Sequence, residues 1–201
     1  MQETLAAAIV RLTGWDGSAK LHDPLCGSGT LLAEALMSHC RLPAGLLRKR
    51  FGFEYLPDFD ATLWFRIKDK AEKGIRPLPE GLLAGSDMSA AAVRTAKVNL
   101  QALPFGDRVT LETLDFRNLA TLQDMVVVCN PPYGIRLHED KDISYFYRLL
   151  GDFFKQKCKG SSIFVYLGKK ELIPLIGLKP SWRKALPSGG LDGRLVKFEI
   201  Y

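Results

Sequence analysis

Residues 23–30 read DPLCGSGT, and they lie between a short stretch of strand character and a longer apolar stretch with helical spacing. The pattern predicts a β-strand over 19–25 and a helix over 27–39, joined by a turn with two glycines. A single Gly-x-Gly turn is either a structural connection or the start of the dinucleotide fingerprint G-x-G-x-x-G. Leu32 occupies the third glycine position of that fingerprint, so a nicotinamide oxidoreductase is disfavoured.

Strands and helices alternate along the rest of the chain, as in an α/β fold with a doubly wound, mostly parallel sheet of seven strands. The predicted helices cover 3–12, 27–39, 58–73, 90–103 and 143–157, and the predicted strands cover 19–25, 82–87, 108–115, 125–129, 162–167, 182–187 and 194–201. The last two strands flank the turn SGGLDG and are expected to close the sheet as an antiparallel pair. We expect one domain over 1–201 with an insertion at about 41–76, and a ligand beyond the carboxyl ends of the strands.

The composition is that of an ordinary globular protein with a basic balance. The 201 residues are 47% hydrophobic and 25% charged, which excludes a disordered chain. No apolar run approaches the roughly 20 residues of a membrane span, and the amino terminus has no signal-peptide pattern, so we expect a cytoplasmic protein without a membrane partner. Four cysteines and three histidines show no metal-ligand spacing, so no metal site is predicted. The net charge of +6 favours an anionic partner such as RNA or DNA.

Acidic residues end the second and third predicted strands. Asp87 follows Ser86 at a strand end, where a carboxylate can accept hydrogen bonds from both hydroxyls of a ribose. The alternative is that Asp87 caps the next helix, since Asp and Ser are both preferred at that position. Asp115 could accept from an adenine amine at the next strand end, while Phe116 packs on the adenine ring or offers its backbone N–H. The alternative there is a surface acid that follows a strand.

The segment NPPYG (130–134) follows the apolar run of the fourth predicted strand. Two prolines stiffen the turn and remove two backbone donors, but their carbonyls remain as acceptors. An exocyclic amine has two hydrogens, and the Asn130 side-chain oxygen and the Pro131 carbonyl could accept both. This would hold the amine nitrogen toward an electrophile, while Tyr133 offers a flat face on which a flipped base can stack. The alternative is a rigid loop after a buried strand.

These segments, in this order, resemble class I methyltransferases that use S-adenosylmethionine and methylate amino groups. The chain is similar more narrowly to the guanine 2-amino methyltransferase domain of bacterial 23S ribosomal RNA enzymes of the RlmL (YcbY) kind. The similarity rests on the strings ETLAAAIVRLTGW, DPLCGSGTLLAEA, FGFE…FDATLW, GSDMS, NPPYGIRL and LDGRLVKFEIY, and it covers nearly the whole sequence. It implies a Rossmann-like methyltransferase fold with S-adenosylmethionine as the cofactor.

The resemblance also implies roles for individual residues. Those expected to bind the cofactor are Asp23, Cys26, Gly27, Ser28, Gly29 and Thr30 at its methionine end, Asp87 at its ribose, Met88, Asp115 and Phe116 at its adenine, and Asn130. Those expected to act in catalysis are Asn130, Pro131, Pro132 and Tyr133. Thr4 and Leu5 are expected to close over the cofactor. No general base is required, because the amine can lose its proton after it attacks the methyl group.

The expected partner is RNA, with ribosomal RNA ahead of transfer RNA. Family members carry an RNA-binding THUMP domain ahead of this one, which the sequence lacks, so we expect RNA docking to depend on such a domain. Basic residues that could face RNA are Arg48, Lys49, Arg50, Lys68, Lys70, Lys73, Arg76, Arg136, Lys169 and Lys170. A solvated helix face is favoured for 68–73, and Trp64 and Phe65 are expected to be core residues.

Several other functions remain open at this point. NPPY loops also occur in DNA adenine methyltransferases and in enzymes that methylate glutamine in release factors. Transfer RNA guanine methylation fits the same segments. A cofactor-binding RNA scaffold without catalysis is a further alternative, although an intact amine-binding loop argues against it.

Overall fold

The computed structural model describes residues 1–133 and 140–201 of the chain. Its strands are β1 (Leu21–Asp23), β2 (Leu83–Asp87), β3 (Thr110–Thr113), β4 (Val126–Cys129), β5 (Ser162–Leu167), β6 (Trp182–Ala185) and β7 (Arg194–Glu199). They form one sheet in the order β3-β2-β1-β4-β5-β7-β6. Strands β1 to β5 are parallel to one another, whereas β7 pairs antiparallel with both β5 and β6. The expected seven-stranded, mostly parallel sheet with an antiparallel closing strand is confirmed.

Helices cover both faces of this sheet. They are α1 (Glu3–Thr13), α2 (Thr30–Cys40), α4 (Ala90–Gln101) and α5 (Asp140–Lys157), whereas a further helix, α3 (Ala61–Lys73), lies in the insertion. Neighbouring residues of a strand point to opposite faces, so Val128 packs with α1, α2 and α4, while Val127 packs with α5. The apolar sequence of β4 is therefore explained by burial on both faces.

Two elements near the first turn are shorter than the sequence pattern indicates. β1 covers only Leu21–Asp23, and α2 begins at Thr30 instead of residue 27. Gly27 and Gly29 have φ of +55° and +79°, which lie in the left-handed region and cannot belong to a right-handed helix. The glycines that mark the turn therefore also delay the helix.

The carboxyl ends of the parallel strands share one edge of the sheet. The chain order reverses between β1 and β4, which are neighbours in the sheet although β2 and β3 lie between them in the sequence. Ligands of open α/β sheets bind in the crevice at such a switch point. The residues that follow β1, β2, β3 and β4 are therefore brought to one place.

The insertion at 41–76, called the arm below, leaves the fold after α2 and returns before β2. Arg76 closes its base, because its backbone N–H donates to the Cys40 carbonyl at 3.0 Å and its side chain donates to the His39 carbonyl. None of the residues of α3 is fully buried. Trp64 is half-buried, but Phe65 is 71% exposed, so the expectation that Phe65 is a core residue is wrong. The physical reason is that α3 has no sheet to cover.

Within the described ranges, no helix is long and apolar enough to cross a bilayer. The four cysteine side chains are buried thiols. No group of three His, Cys, Asp or Glu residues in the described part of the chain is arranged to hold a metal ion.

Candidate cofactor and catalytic site

The loop after β1 is fixed by backbone hydrogen bonds and open on one side. The Leu25 N–H donates to the Asp23 carboxylate at 3.0 Å, and the Cys26 N–H donates to the Ser86 carbonyl at 2.9 Å. A Cβ atom built on Gly27 would meet no heavy atom within 4 Å. The loop therefore presents bare backbone to an empty space, which is what close approach by a ligand requires.

The second half of the loop packs tightly on α4. A Cβ atom on Gly29 would lie 3.0 Å from the Cβ of Ala96, so this position has no room for a side chain. Asn99 of α4 donates through Nδ2 to the Ser28 carbonyl at 2.9 Å, and the Ser28 and Thr30 hydroxyls are 3.2 Å apart. Gly27 and Gly29 thus have different tasks, since one leaves space for a ligand and the other allows helix contact.

Asp87, at the end of β2, joins this loop to the second strand. One carboxylate oxygen accepts from the Gly27 N–H at 3.0 Å, and the other accepts from the Ser89 N–H at 2.9 Å. Ser89 occupies the N-cap position of α4, with its hydroxyl accepting from Ala92, so Asp87 is not the helix cap. A carboxylate has about four acceptor positions, so Asp87 can still accept from a ribose while it orders the loop. Met88 is 70% exposed beside it, where it is available to an adenine ring.

Asp87 places a negative charge at this edge of the sheet, and Asp23 is a buried carboxyl group at the neighbouring strand end. Burial raises the pKa of Asp23 to about 8, with the negative charge of Asp87 adding to the shift and the Leu25 N–H opposing it. Burial also raises the pKa of the Cys26 thiol, which argues against a reactive thiolate in the loop. His22 is buried and lies 3.3 Å from the Ser86 hydroxyl, and burial lowers its pKa to about 4. At neutral pH these pKa shifts leave Asp23 largely protonated and the Cys26 thiol and His22 uncharged, so Asp87 is the group here that favours a ligand with positive charge.

The residues after β3 partly correct the sequence interpretation. Asp115 is held by Arg117, whose Nε donates to Oδ1 at 2.9 Å and whose Nη2 donates to Oδ2 at 2.5 Å. These hydrogen bonds lower the pKa of Asp115. The Phe116 ring is buried and packs edge-on against Phe146 and Phe153. This packing favours the other alternative, in which the backbone N–H of Phe116 meets an adenine nitrogen, and the contact with adenine remains a prediction.

The NPPY loop after β4 is held in place by a hydrogen bond from α5. Tyr147 is fully buried, and its hydroxyl donates to the Pro132 carbonyl at 3.0 Å. That carbonyl is therefore committed to holding the loop. No donor among the described residues bonds to the Pro131 carbonyl, which matches its proposed task as a substrate acceptor.

Tyr133 contacts Asn130 in this conformation. Its hydroxyl donates to Oδ1 of Asn130, and its ring packs on the Gly168 backbone and edge-on against Tyr166. An amide oxygen has two lone pairs. One accepts from the Tyr133 hydroxyl, and the other remains available to accept from a substrate amine. The ring is half-buried, and the stacking role of Tyr133 remains a prediction.

Two further predictions from the sequence concern the start of α1 and Arg136. Thr4 and Leu5 lie in the first turn of α1, which packs against α2, the helix that continues the glycine loop. Arg136 lies outside the described residues. Three residues that sequence reasoning missed are Asn99, Arg117 and Tyr147, each of which holds a site loop in place. Only Arg117 had a local signal, as a basic residue two positions after Asp115.

The chain matches the RMKL-like methyltransferase domain family (UPF0020) over residues 1–197. The chain belongs to this family. This RMKL-like domain is 37% identical over 202 residues to slr0064, a candidate RNA methyltransferase of Synechocystis, covering all of this chain and 53% of that protein. It is 34% identical over 206 residues to the ribosomal RNA large subunit methyltransferase K/L of Photobacterium profundum, covering all of this chain and 29% of that protein.

Solved structures agree with the fold of the RMKL-like domain. SMU.472, a candidate methyltransferase crystallised with S-adenosylhomocysteine, superposes with a TM-score of 0.90 at 29% identity over 99% of this chain and 52% of that one. A protein from Listeria monocytogenes named as a predicted N6-adenine-specific DNA methylase gives 0.85 at 28% identity over 100% of this chain and 52% of that one. The chain spans about half the length of slr0064 and of both solved proteins. The expected methyltransferase fold and family are confirmed.

Proposed function

We propose that this domain transfers a methyl group from S-adenosylmethionine to the exocyclic 2-amino group of a guanine in RNA, with 23S ribosomal RNA as the substrate. The observation that carries the proposal is the convergence of four strand ends at one edge of the sheet. An open glycine loop and two acidic residues stand there beside the NPPY loop. The name of the Photobacterium relative and the S-adenosylhomocysteine in SMU.472 support the substrate and the cofactor.

The residues present fit S-adenosylmethionine on chemical grounds. The cofactor supplies an electrophilic methyl group on a positively charged sulfur, next to a cationic methionine amine. The open backbone at Gly27 can admit the methionine end, and the Asp87 carboxylate that accepts from the Gly27 N–H favours its positive charge. Asp87 can accept from the ribose hydroxyls, and Met88 can cover the adenine. Asp115 can accept from the adenine amine only by sharing its carboxylate with Arg117.

The NPPY loop would act by alignment. The guanine amine is a weak nucleophile because its lone pair is delocalised into the ring. If Asn130 Oδ1 and the Pro131 carbonyl accept its two hydrogens, the lone pair is directed away from them and toward the methyl group. Positioning of this kind can supply several kcal/mol of the activation free energy. Burial raises the pKa of the Tyr133 hydroxyl, so this nearby group is a poor proton acceptor. The proton can instead leave the amine after the attack.

An adenine amine in DNA is the second candidate, because the Listeria protein is named for that reaction. Amide methylation and transfer RNA guanine methylation use the same loop chemistry. An RNA-binding domain of the THUMP type is the proposed docking partner, as the family resemblance implies. The chain spans about half the length of slr0064, so that protein has room for one.

Incubation with methyl-labelled S-adenosylmethionine and equal masses of ribosomal RNA, transfer RNA, genomic DNA or release factor tests the substrate class. We expect the label in ribosomal RNA. Label in DNA or protein, with none in RNA, would overturn the proposal. Asn130→Ala is the control for transfer by this site, and S-adenosylhomocysteine titration of the same variant checks that it still binds the cofactor.

A further inference from the structure

The arm is rich in large apolar side chains that are exposed on its surface. Among the described residues, seven of the twelve exposed large hydrophobic side chains belong to it: Leu47, Phe53, Tyr55, Leu56, Leu63, Phe65 and Ile67. Tyr55 and Phe65 are 72% and 71% exposed. Isolated exposed hydrophobics are normal in proteins, but a cluster of them on one segment marks an interaction surface.

The same segment carries most of the net positive charge of the chain. Residues 41–76 contain nine Lys and Arg against five Asp and Glu, so they contribute four of the six net positive charges. Arg48, Lys49 and Arg50 are consecutive and exposed. Arg50 donates to the Tyr55 hydroxyl at 3.3 Å, so a guanidinium and an exposed aromatic ring are presented together.

An aromatic cluster inside the arm holds this surface in shape. The Trp64 ring packs edge-on against Phe51 and Phe53, with centroid distances of 5.3 and 4.9 Å. Phe51 and Phe53 stack on each other at 5.2 Å. Because these three rings fix the arm, the exposed Tyr55 and Phe65 are carried on an ordered support.

We propose that the arm is an RNA-binding surface that holds unpaired nucleotides away from the catalytic loop. Exposed aromatic rings stack on bases of any sequence, and neighbouring Lys and Arg side chains contact phosphates. The arm leaves the fold between the end of α2 and the start of β2, which is the sheet edge opposite the NPPY loop. It would therefore bind RNA at a distance from the methylated base. The inference rests on the proposed function in that the substrate is RNA.

The arrangement on α3 favours RNA over a lipid surface. Successive helix positions differ by about 100°, so Leu63 and Phe65 point about 160° apart. Arg66 and Lys70 stand at i+3 and i+7 from Leu63, and so share its face. Leu63, Ile67 and Trp64 share one side of α3, and Trp64 packs there on Phe51 and Phe53. A bilayer that buried this side would leave the exposed ring of Phe65 in water, whereas a base can stack on that ring.

Fluorescence anisotropy of the full chain with a labelled single-stranded RNA of about 16 nucleotides tests the arm. The triple variant Arg48→Gln, Lys49→Gln, Arg50→Gln should weaken binding and flatten the plot of log affinity against log salt by about 2, for three lost phosphate contacts on a single strand. Its matched control, Lys155→Gln, Lys157→Gln, Lys159→Gln, removes the same charge from another surface and should change the slope much less.

The aromatic part is tested by single substitutions that leave the internal cluster intact. Tyr55→Ala and Phe65→Ala should each weaken RNA binding at least about fivefold, as for the loss of one stacked base. Tyr201→Ala, at an exposed terminal tyrosine, should have little effect. Melting temperature and S-adenosylhomocysteine affinity should stay at the wild-type values, which shows that the fold is retained.

Wild-type RNA affinity in all the arm variants would overturn the proposal. If the arm variants keep wild-type RNA affinity but lose binding to phosphatidylglycerol vesicles, the arm binds a membrane instead. If they keep RNA affinity but lose self-association in sedimentation, the arm binds a second copy of the chain instead. RNA binding that needs the arm without methyl transfer to RNA would refute the proposed function and leave this inference standing. If the chain methylates RNA but the arm variants bind RNA as tightly as the wild type, the proposed function would stand and this inference would be refuted.

Discussion

Comparing Gly27→Ala with Gly81→Ala distinguishes two effects of an added methyl group, namely the loss of space for a ligand and the strain of a left-handed backbone. Gly27 has φ of +55°, and Gly81, at the opposite edge of the sheet, has φ of +69°. A Cβ atom at either position would meet no heavy atom within 4 Å. A left-handed conformation costs a non-glycine residue roughly 1–2 kcal/mol. Both Gly27→Ala and Gly81→Ala should therefore lower the melting temperature by about 2–8 °C, given about 2–4 °C per kcal/mol for a chain of this size.

Only Gly27→Ala should also impair cofactor binding, because its new methyl group would occupy space proposed for the methionine end of the cofactor. Overpacking by a methyl group costs typically about 1–3 kcal/mol, which corresponds to about 5- to 150-fold weaker binding. Differential scanning calorimetry measures the melting temperature, and isothermal titration with S-adenosylhomocysteine measures the affinity. Wild-type affinity in Gly27→Ala would refute the loop assignment. An equal loss in Gly81→Ala would attribute the effect to general strain.

Three further outcomes follow from the same geometry. Asn130→Ala should lower turnover at least about 100-fold, the scale of a lost positioning or polar contact. The dissociation constant of S-adenosylhomocysteine should change little, because Asn130 is proposed to orient the amine and not to hold the ribose or adenine of the cofactor. Tyr147→Phe leaves the Pro132 carbonyl without its donor and should lower kcat more than it alters KM for RNA, whereas Tyr166→Phe, which loses a hydrogen bond to the Leu186 carbonyl, should change kcat little. Asp23→Asn should alter the pH dependence of stability in urea titrations. Because burial raises the folded pKa of Asp23 to about 8, the wild type should lose stability relative to this variant as pH rises from about 4 toward 8, and parallel pH profiles would contradict that.

The sheet was predictable because its elements carry strong local patterns. The run that becomes β4 is apolar throughout, as burial on both faces demands, and α1, α4 and α5 have clear helical periodicity. The order of the strand-end motifs located the site, because a parallel sheet gathers carboxyl ends at one edge. Helix and strand bounds near the glycine loop were less accurate, since positive φ at two glycines is a backbone property that apolar spacing does not reveal.

Contacts between distant parts of the sequence could not be predicted in this way. Asn99 reaches Ser28 across 71 positions, and no pattern links the two. The ring of Phe116 was assigned to adenine because it follows an acid at a strand end, yet three-dimensional packing turns it toward Phe146 and Phe153. Phe65 was expected in the core as an aromatic residue of a predicted helix, but whether a helix has a surface to cover is decided by the whole fold.

The identity of the methylated nucleoside tests the central claim most directly. Bulk 23S ribosomal RNA is incubated with the chain and methyl-labelled S-adenosylmethionine at low salt, digested to nucleosides and analysed by mass spectrometry. The account predicts label in N2-methylguanosine, and its loss with Asn130→Ala. Label in N6-methyladenosine, or N2-methylguanosine formed equally well by Asn130→Ala, would contradict it.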